Sequence, residues 1–146
     1  MSKLHDELVS MAACSEAVKW VGRKSLATAW AKCERADWML WYAHTRGVDQ
    51  RLMVRAACAC ARTALQYVPA GEERPRLAIE AAEAWADNPT DANRSAAWSA
   101  AVWSAAWSAR SAWSARSAAE SAAVWSAHKK MCNLVRGIIP IEKLNK

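Results

Sequence analysis

At 146 residues, with 20 Lys and Arg against 14 Asp and Glu, the chain has about the length of one domain and a net charge of +6. Apolar residues make up 53%, which excludes charge-driven disorder for most of the length; but 34 residues are Ala, Phe is absent, and the 10 Trp must carry the core. Four Gly, four Pro and few β-branched residues exclude a sandwich, a barrel or a doubly wound sheet, so the expected fold is a single all-α bundle of about six or seven helices.

The breakers of the first ninety residues fall where helix ends belong. Leu4 to Val21 reads as helical with an interruption near Cys14 and a stop at Gly22. Ser25 caps a short helix to about Ala31, and Asp37 caps another over Trp38 to His44 that ends at Gly47. Asp49 opens the clearest helix, which runs to about Tyr67 before Val68-Pro69-Ala70-Gly71. At ~100° per residue Leu52, Ala56, Ala59, Thr63 and Tyr67 share one side of it, with Met53, Ala57, Ala61 and Ala64 beside them. Arg51, Arg55, Arg62 and Gln66 form the opposite stripe. Pro75 suits a first helical turn, so the next helix runs to about Ala86, with Leu77, Ala81, Ala84 and Trp85 inward and Glu80, Glu83 and Asp87 outward. Asn88-Pro89 ends it, and Thr90 or Asp91 caps the next helical region.

Residues 91–136 form that region, rich in Ala, Ser and Trp and without Gly or Pro up to Val135. Trp-Ser-Ala begins at Trp98, Trp103, Trp107, Trp113 and Trp125, but the uneven spacing does not support a stacked repeat. On one helix these Trp take half of the circumference together with Arg110, Arg116 and Glu120, opposite a smooth Ala/Ser side, and most of the rings are expected to pack in the core. A straight helix of that length overruns a compact domain, so a bend is expected between Ser108 and Ser117. Residues 137–146 read as a basic extended tail lying on the bundle.

Two segments, Cys33-Glu-Arg-Ala-Asp-Trp-Met-Leu-Trp41 and Pro69-Ala-Gly-Glu-Glu-Arg-Pro-Arg-Leu-Ala-Ile-Glu-Ala-Ala-Glu-Ala-Trp85, resemble the alanine-rich immunity proteins of bacterial polymorphic toxin systems, related to the immunity protein type five-like domain. In that group an acidic-acidic-Arg-Pro-Arg run opens a helix with Ala-Ile-Glu and a later Trp, and a long Ala-rich helical stretch follows; the order here is the same. The resemblance covers roughly residues 20–130 and implies a toxin-neutralising protein. The occurrence of such proteins near mobile elements and phages makes inhibition of a host defence complex its close relative.

An enzyme finds little support, because His5, His44 and His128 lie apart and no nucleophile elbow, metalloprotease pair or phosphate loop is present. Cys58-Ala-Cys60 sits about 200° around a helix, a poor geometry for one metal, so its thiols read as buried. No cofactor is implied. Cys14, Cys33, Cys58, Cys60 and Cys132 are an odd set, no secretory leader opens the chain, and the longest uncharged stretch, Ser95 to Ala109, is 15 residues, short of a membrane span; a soluble cytoplasmic protein with free thiols is expected.

Three classes remain: an inhibitor of another protein, a nucleic-acid or nucleotide binder, and an enzyme. Basic residues beside Trp suit single-stranded nucleic acid, but Glu80, Glu83 and Asp87 interrupt any basic surface, and the core needs the Trp. The favoured reading is a non-catalytic protein that occludes a partner protein, with no membrane involved. The candidate contact residues are Trp107, Arg110, Trp113, Arg116, Lys129 and Lys130, with Arg51, Arg55 and Arg62 as a second surface. Glu72, Glu73, Arg74 and Arg76 read either as a partner-reading cluster or as a helix cap ion-paired to Arg51, Arg55 or Arg62.

Overall fold

A computed structural model describes residues 1–99 and 121–145, with side chains described up to residue 96 and again from 128. Among these residues there are eight α-helices and no strand: α1 Lys3–Ser10, α2 Ser15–Val21, α3 Leu26–Lys32, α4 Ala36–Thr45, α5 Gln50–Ala64, α6 Arg74–Asp87, α7 Asp91–Ser99 and α8 Ser121–Ile138. Two 3-10 turns, Leu65–Tyr67 and Ile141–Leu144, follow α5 and α8. The all-α bundle expected from composition is the fold. The expected bend between Ser108 and Ser117 and the packing of the Trp-Ser-Ala rings lie outside the described residues and side chains.

Local chemistry explains most boundaries. Ser25 Oγ accepts from Thr28 N at 3.2 Å, Asp49 Oδ1 from Arg51 N at 3.0 Å and Leu52 N at 3.3 Å, and Thr90 Oγ1 from Asn93 N at 3.2 Å, so each caps the helix expected of it. Gly22 stops α2 with φ +50°. The interruption in the first helical segment falls at Ala12, whose φ is +55°, and divides it into α1 and α2.

Three expectations are corrected. Asp37 lies inside α4, not at its cap: Arg35 holds the cap position and clasps the Asp37 carboxylate with two N–H groups at 2.9 and 2.7 Å. The buried face of α6 is Ala78, Ile79, Ala82, Trp85 and Ala86, which leaves Leu77 51% exposed. On that face Ile79 and Ala82 pack against Cys58 and Ala61 of α5, and Leu77 lies off it. The end of the chain is not an extended tail: α8 continues through Gly137, and Pro140 then opens a 3-10 turn that buries Ile139 and Leu144 completely.

Helix α5 is central. One flank, with Met53 and Ala56, joins the main core built by Leu4, Leu8, Trp30, Met39, Tyr42, Val135, Ile139 and Leu144. Its other flank places Cys58 and Ala61 against Ile79 and Ala82 of α6 in a smaller core. Helix α8 returns to α4 and α5 and carries the end of the chain back to its beginning.

A candidate binding groove

That return builds a polar concavity. A groove of about 620 Å³ runs between the start of α1, the α2–α3 turn, the end of α4 and Asn145. Ser2 fastens one wall: its Oγ donates to Gly22 O at 3.1 Å and accepts from His5 N at 3.1 Å. Arg46, at the end of α4, fastens the other, since its Nε donates to Leu144 O at 3.0 Å and its Nη1 to Glu7 Oε1 at 2.8 Å. The Tyr42 hydroxyl lies 3.4 Å from both Glu7 carboxylate oxygens. Burial, reinforced by the Glu7 charge, pushes the Tyr42 hydroxyl up to about 12, so it stays protonated and donates at any physiological pH.

Glu7, Tyr42 and Arg46 therefore hold one another in place. Lys3 and Arg23, both exposed in the groove wall, have no ionic partner among the described residues. Counting Arg46 against Glu7, the lining is net positive and suited to an acidic ligand.

Beside the groove, and sharing Leu4, Leu26 and Tyr42 with it, lies an apolar cavity of about 50 Å³. Four of the ten Trp wall it: Trp20, Trp30, Trp38 and Trp41. Trp20 and Trp38 pack with ring centres 6.0 Å apart and planes tilted by 56°. Lys24 Nζ lies 4.6 Å from the Trp20 ring centre and Arg35 Cζ 4.6 Å from that of Trp38, so a cation stacks on each ring. Trp41, 39% exposed, is the most open of the four.

The residues singled out by sequence lie elsewhere. Trp107, Arg110, Trp113 and Arg116 fall outside the described residues. Lys129 lies 3.7 Å from Glu34 Oε1, and Lys130 is exposed on the next position of α8. Arg51, Arg55 and Arg62 turn toward α6: Arg51 Nε donates to Ala86 O at 2.6 Å, Arg55 Nη2 to Asp87 Oδ1 at 3.1 Å, and Arg62 holds Glu83 through two bonds of 2.6 and 2.5 Å. That stripe cements α5 to the C-terminal half of α6, where no basic residue of α6 itself caps the last carbonyls. Glu72 caps α6 by accepting from Arg74 N at 3.0 Å, while Arg76 joins Glu73 at 3.1 Å and Glu80 at 2.7 Å; none of these acids reaches the α5 stripe. The groove residues Lys3, Glu7, Arg23, Tyr42 and Arg46 carry no sequence signal, because no motif joins positions this far apart in the chain.

Except for the exposed Cys14, the thiols are largely covered. Cys58 Sγ points to Ile79 O and Cys60 Sγ to Met131 O, each at 3.9 Å, so the pair faces two different helices. Burial pushes Cys58 up to about 11 and Cys60 and Cys132 to about 12, and raises Cys33 as well. Among the described residues no three His, Cys, Asp or Glu side chains gather as a metal site, and no helix is long and apolar enough to cross a membrane. No protein-family model, curated protein or solved structure matches the chain.

Proposed function

We propose that the chain is a non-catalytic binding protein that neutralises a partner protein by covering its working surface, as a toxin-immunity protein does. The observation that carries this reading is the groove: a wall locked by Glu7, Tyr42 and Arg46, with Lys3 and Arg23 at its surface and without an ionic partner among the described residues. A polar network already satisfied within the protein needs no reordering on association, and available cations both steer and select an acidic surface. A toxin and a component of a host defence complex are targets of the same kind here. The stripe of Arg51, Arg55 and Arg62 takes no part, since its guanidiniums are occupied by α6.

The test is capture followed by an activity measurement. The full chain and a Lys3→Glu/Arg23→Glu variant are each used as bait in a bacterial lysate. One stoichiometric acidic protein is expected on the first bait, depleted on the second, with its own activity lost in the complex. A partner that keeps its activity when bound, or capture of single-stranded RNA in place of protein, overturns the reading.

A further inference from the structure

Resting on that reading, we propose that the basic groove and the Trp-walled cavity beside it form one recognition site for an extended acidic segment of the partner that carries a single small aliphatic anchor. Three observations define the occupant. The groove, at about 620 Å³, has the size of a site for several residues, not for one ion. The two lining charges without an ionic partner among the described residues, Lys3 and Arg23, are both positive, so the segment is acidic. The cavity shares Leu4, Leu26 and Tyr42 with the groove, so the apolar space borders the groove at these three residues, within reach of one side chain of a segment lying there.

Cavity size sets the anchor. At about 50 Å³ it is roughly a third of the ~150 Å³ apolar cavity that takes a benzene ring. That volume matches the end of a Leu, Ile or Met side chain better than a whole aromatic ring. Its walls supply the large polarizable faces of Trp20, Trp30, Trp38 and Trp41, and the stacked Lys24 and Arg35 hold two of those rings in place before anything binds. An anchor gains these contacts without ordering the site, which is how one buried side chain comes to dominate an interface.

A selection from a random displayed twelve-residue peptide library against the full chain tests this. The expected consensus is one Leu, Ile or Met flanked by Asp and Glu. A synthetic peptide of that consensus should shift Trp emission on binding, lose about tenfold or more in affinity when the anchor becomes Ala, and lose as much against Arg23→Glu. Ala29→Leu, which fills the cavity from α3, should remove the anchor preference while the acidic preference survives; Trp41→Ala, at a partly exposed wall position, should also weaken the anchored peptide. No enriched sequence, an aromatic or basic consensus, or affinity indifferent to Arg23→Glu overturns the proposal. The two readings fail separately. A partner captured from lysate and inhibited, with no library consensus, leaves occlusion standing without this site; a consensus with an uninhibited partner leaves the site standing without occlusion.

Discussion

Glu7 and Arg46, 39 positions apart, meet at 2.8 Å with side chains only 22% and 24% exposed. The same guanidinium holds Leu144 O, so one side chain ties α1, α4 and the end of the chain together. In that position the pair is screened weakly by salt, and neither partner can lose the other without leaving a half-buried charge.

Glu7→Gln and Arg46→Met should each destabilise the fold by about 2–3 kcal/mol, while the double variant costs clearly less than their sum. Urea unfolding of all four proteins at low and 1 M salt measures the coupling. Additive losses would mean that the two side chains act independently and that the groove wall is not prelocked.

Trp85 and Trp38 separate two kinds of aromatic burial. Trp85 is 7% exposed on the buried face of α6, so Trp85→Ala should cost ~3–5 kcal/mol. Trp38 is only partly buried, with Arg35 on its outer face, and Trp38→Ala should cost about half as much. Trp85→Phe should be far milder than Trp85→Ala, because the indole Nε1 is buried without a hydrogen-bond partner among the described residues, so its removal forfeits no bond seen there. Chemical denaturation midpoints decide; equal losses for the two Ala variants would contradict the difference in burial.

How much of this is legible in the sequence depends on the range of each interaction. Caps at Ser25, Asp49 and Thr90 bond within three residues of themselves, and local residue type is enough to find them. Periodicity also reveals the arginine stripe of α5 and the acidic face of α6, but presents both as solvated surfaces. That the two faces meet, as Arg62 on Glu83 and Arg55 on Asp87, depends on how the helices pack, which periodicity does not encode. Leu77 reads as inward on hydrophobicity alone and lies outside, because α6 turns Ala78, Ile79, Ala82, Trp85 and Ala86 to the interior instead. The groove is invisible for the strongest version of that reason. Its walls come from the first and last described residues and the end of α4, and its key pair has neither local spacing nor composition to announce it.

Between about pH 7 and 9 stability should be flat, and it should fall above that. Five groups are held neutral by burial: Cys58 at about 11, Cys60, Cys132 and Tyr42 at about 12, and Cys33 raised in the same direction, against ordinary values of 9.0 for the thiols and 10.0 for the phenol. Below 9 these groups are protonated in both states and contribute fully. Between about 9 and 12 the unfolded chain releases protons that the folded chain retains, so ionisation favours unfolding. The thiols act first and Tyr42 from about pH 10. Urea unfolding from pH 7 to 11 measures the slope, and Cys60→Ala with Cys132→Ala should flatten it even if both lower stability at pH 7. An unchanged slope in that double variant would show that these thiols ionise as easily in the fold as outside it.

The same burial predicts how the five cysteines react. Cys14 is the exposed one, at the cap of α2; Cys33, Cys58 and Cys132 are buried, and Cys60 is covered by α8 with its sulfur against Met131 O. Reaction with a disulfide reagent needs both thiolate and access, and for a thiol near 11 to 12 only about one molecule in a thousand or fewer is ionised at pH 8. One thiol per chain should therefore label quickly under native conditions, and Cys14→Ser should abolish that fast phase. The other four should label only at the rate at which the bundle opens, and together once urea unfolds it. A second fast thiol would be assigned by mass spectrometry. If it is Cys60, the seam between α5 and α8 opens on its own, and the groove wall that hangs on the end of α8 is less fixed than the Arg46 contacts imply.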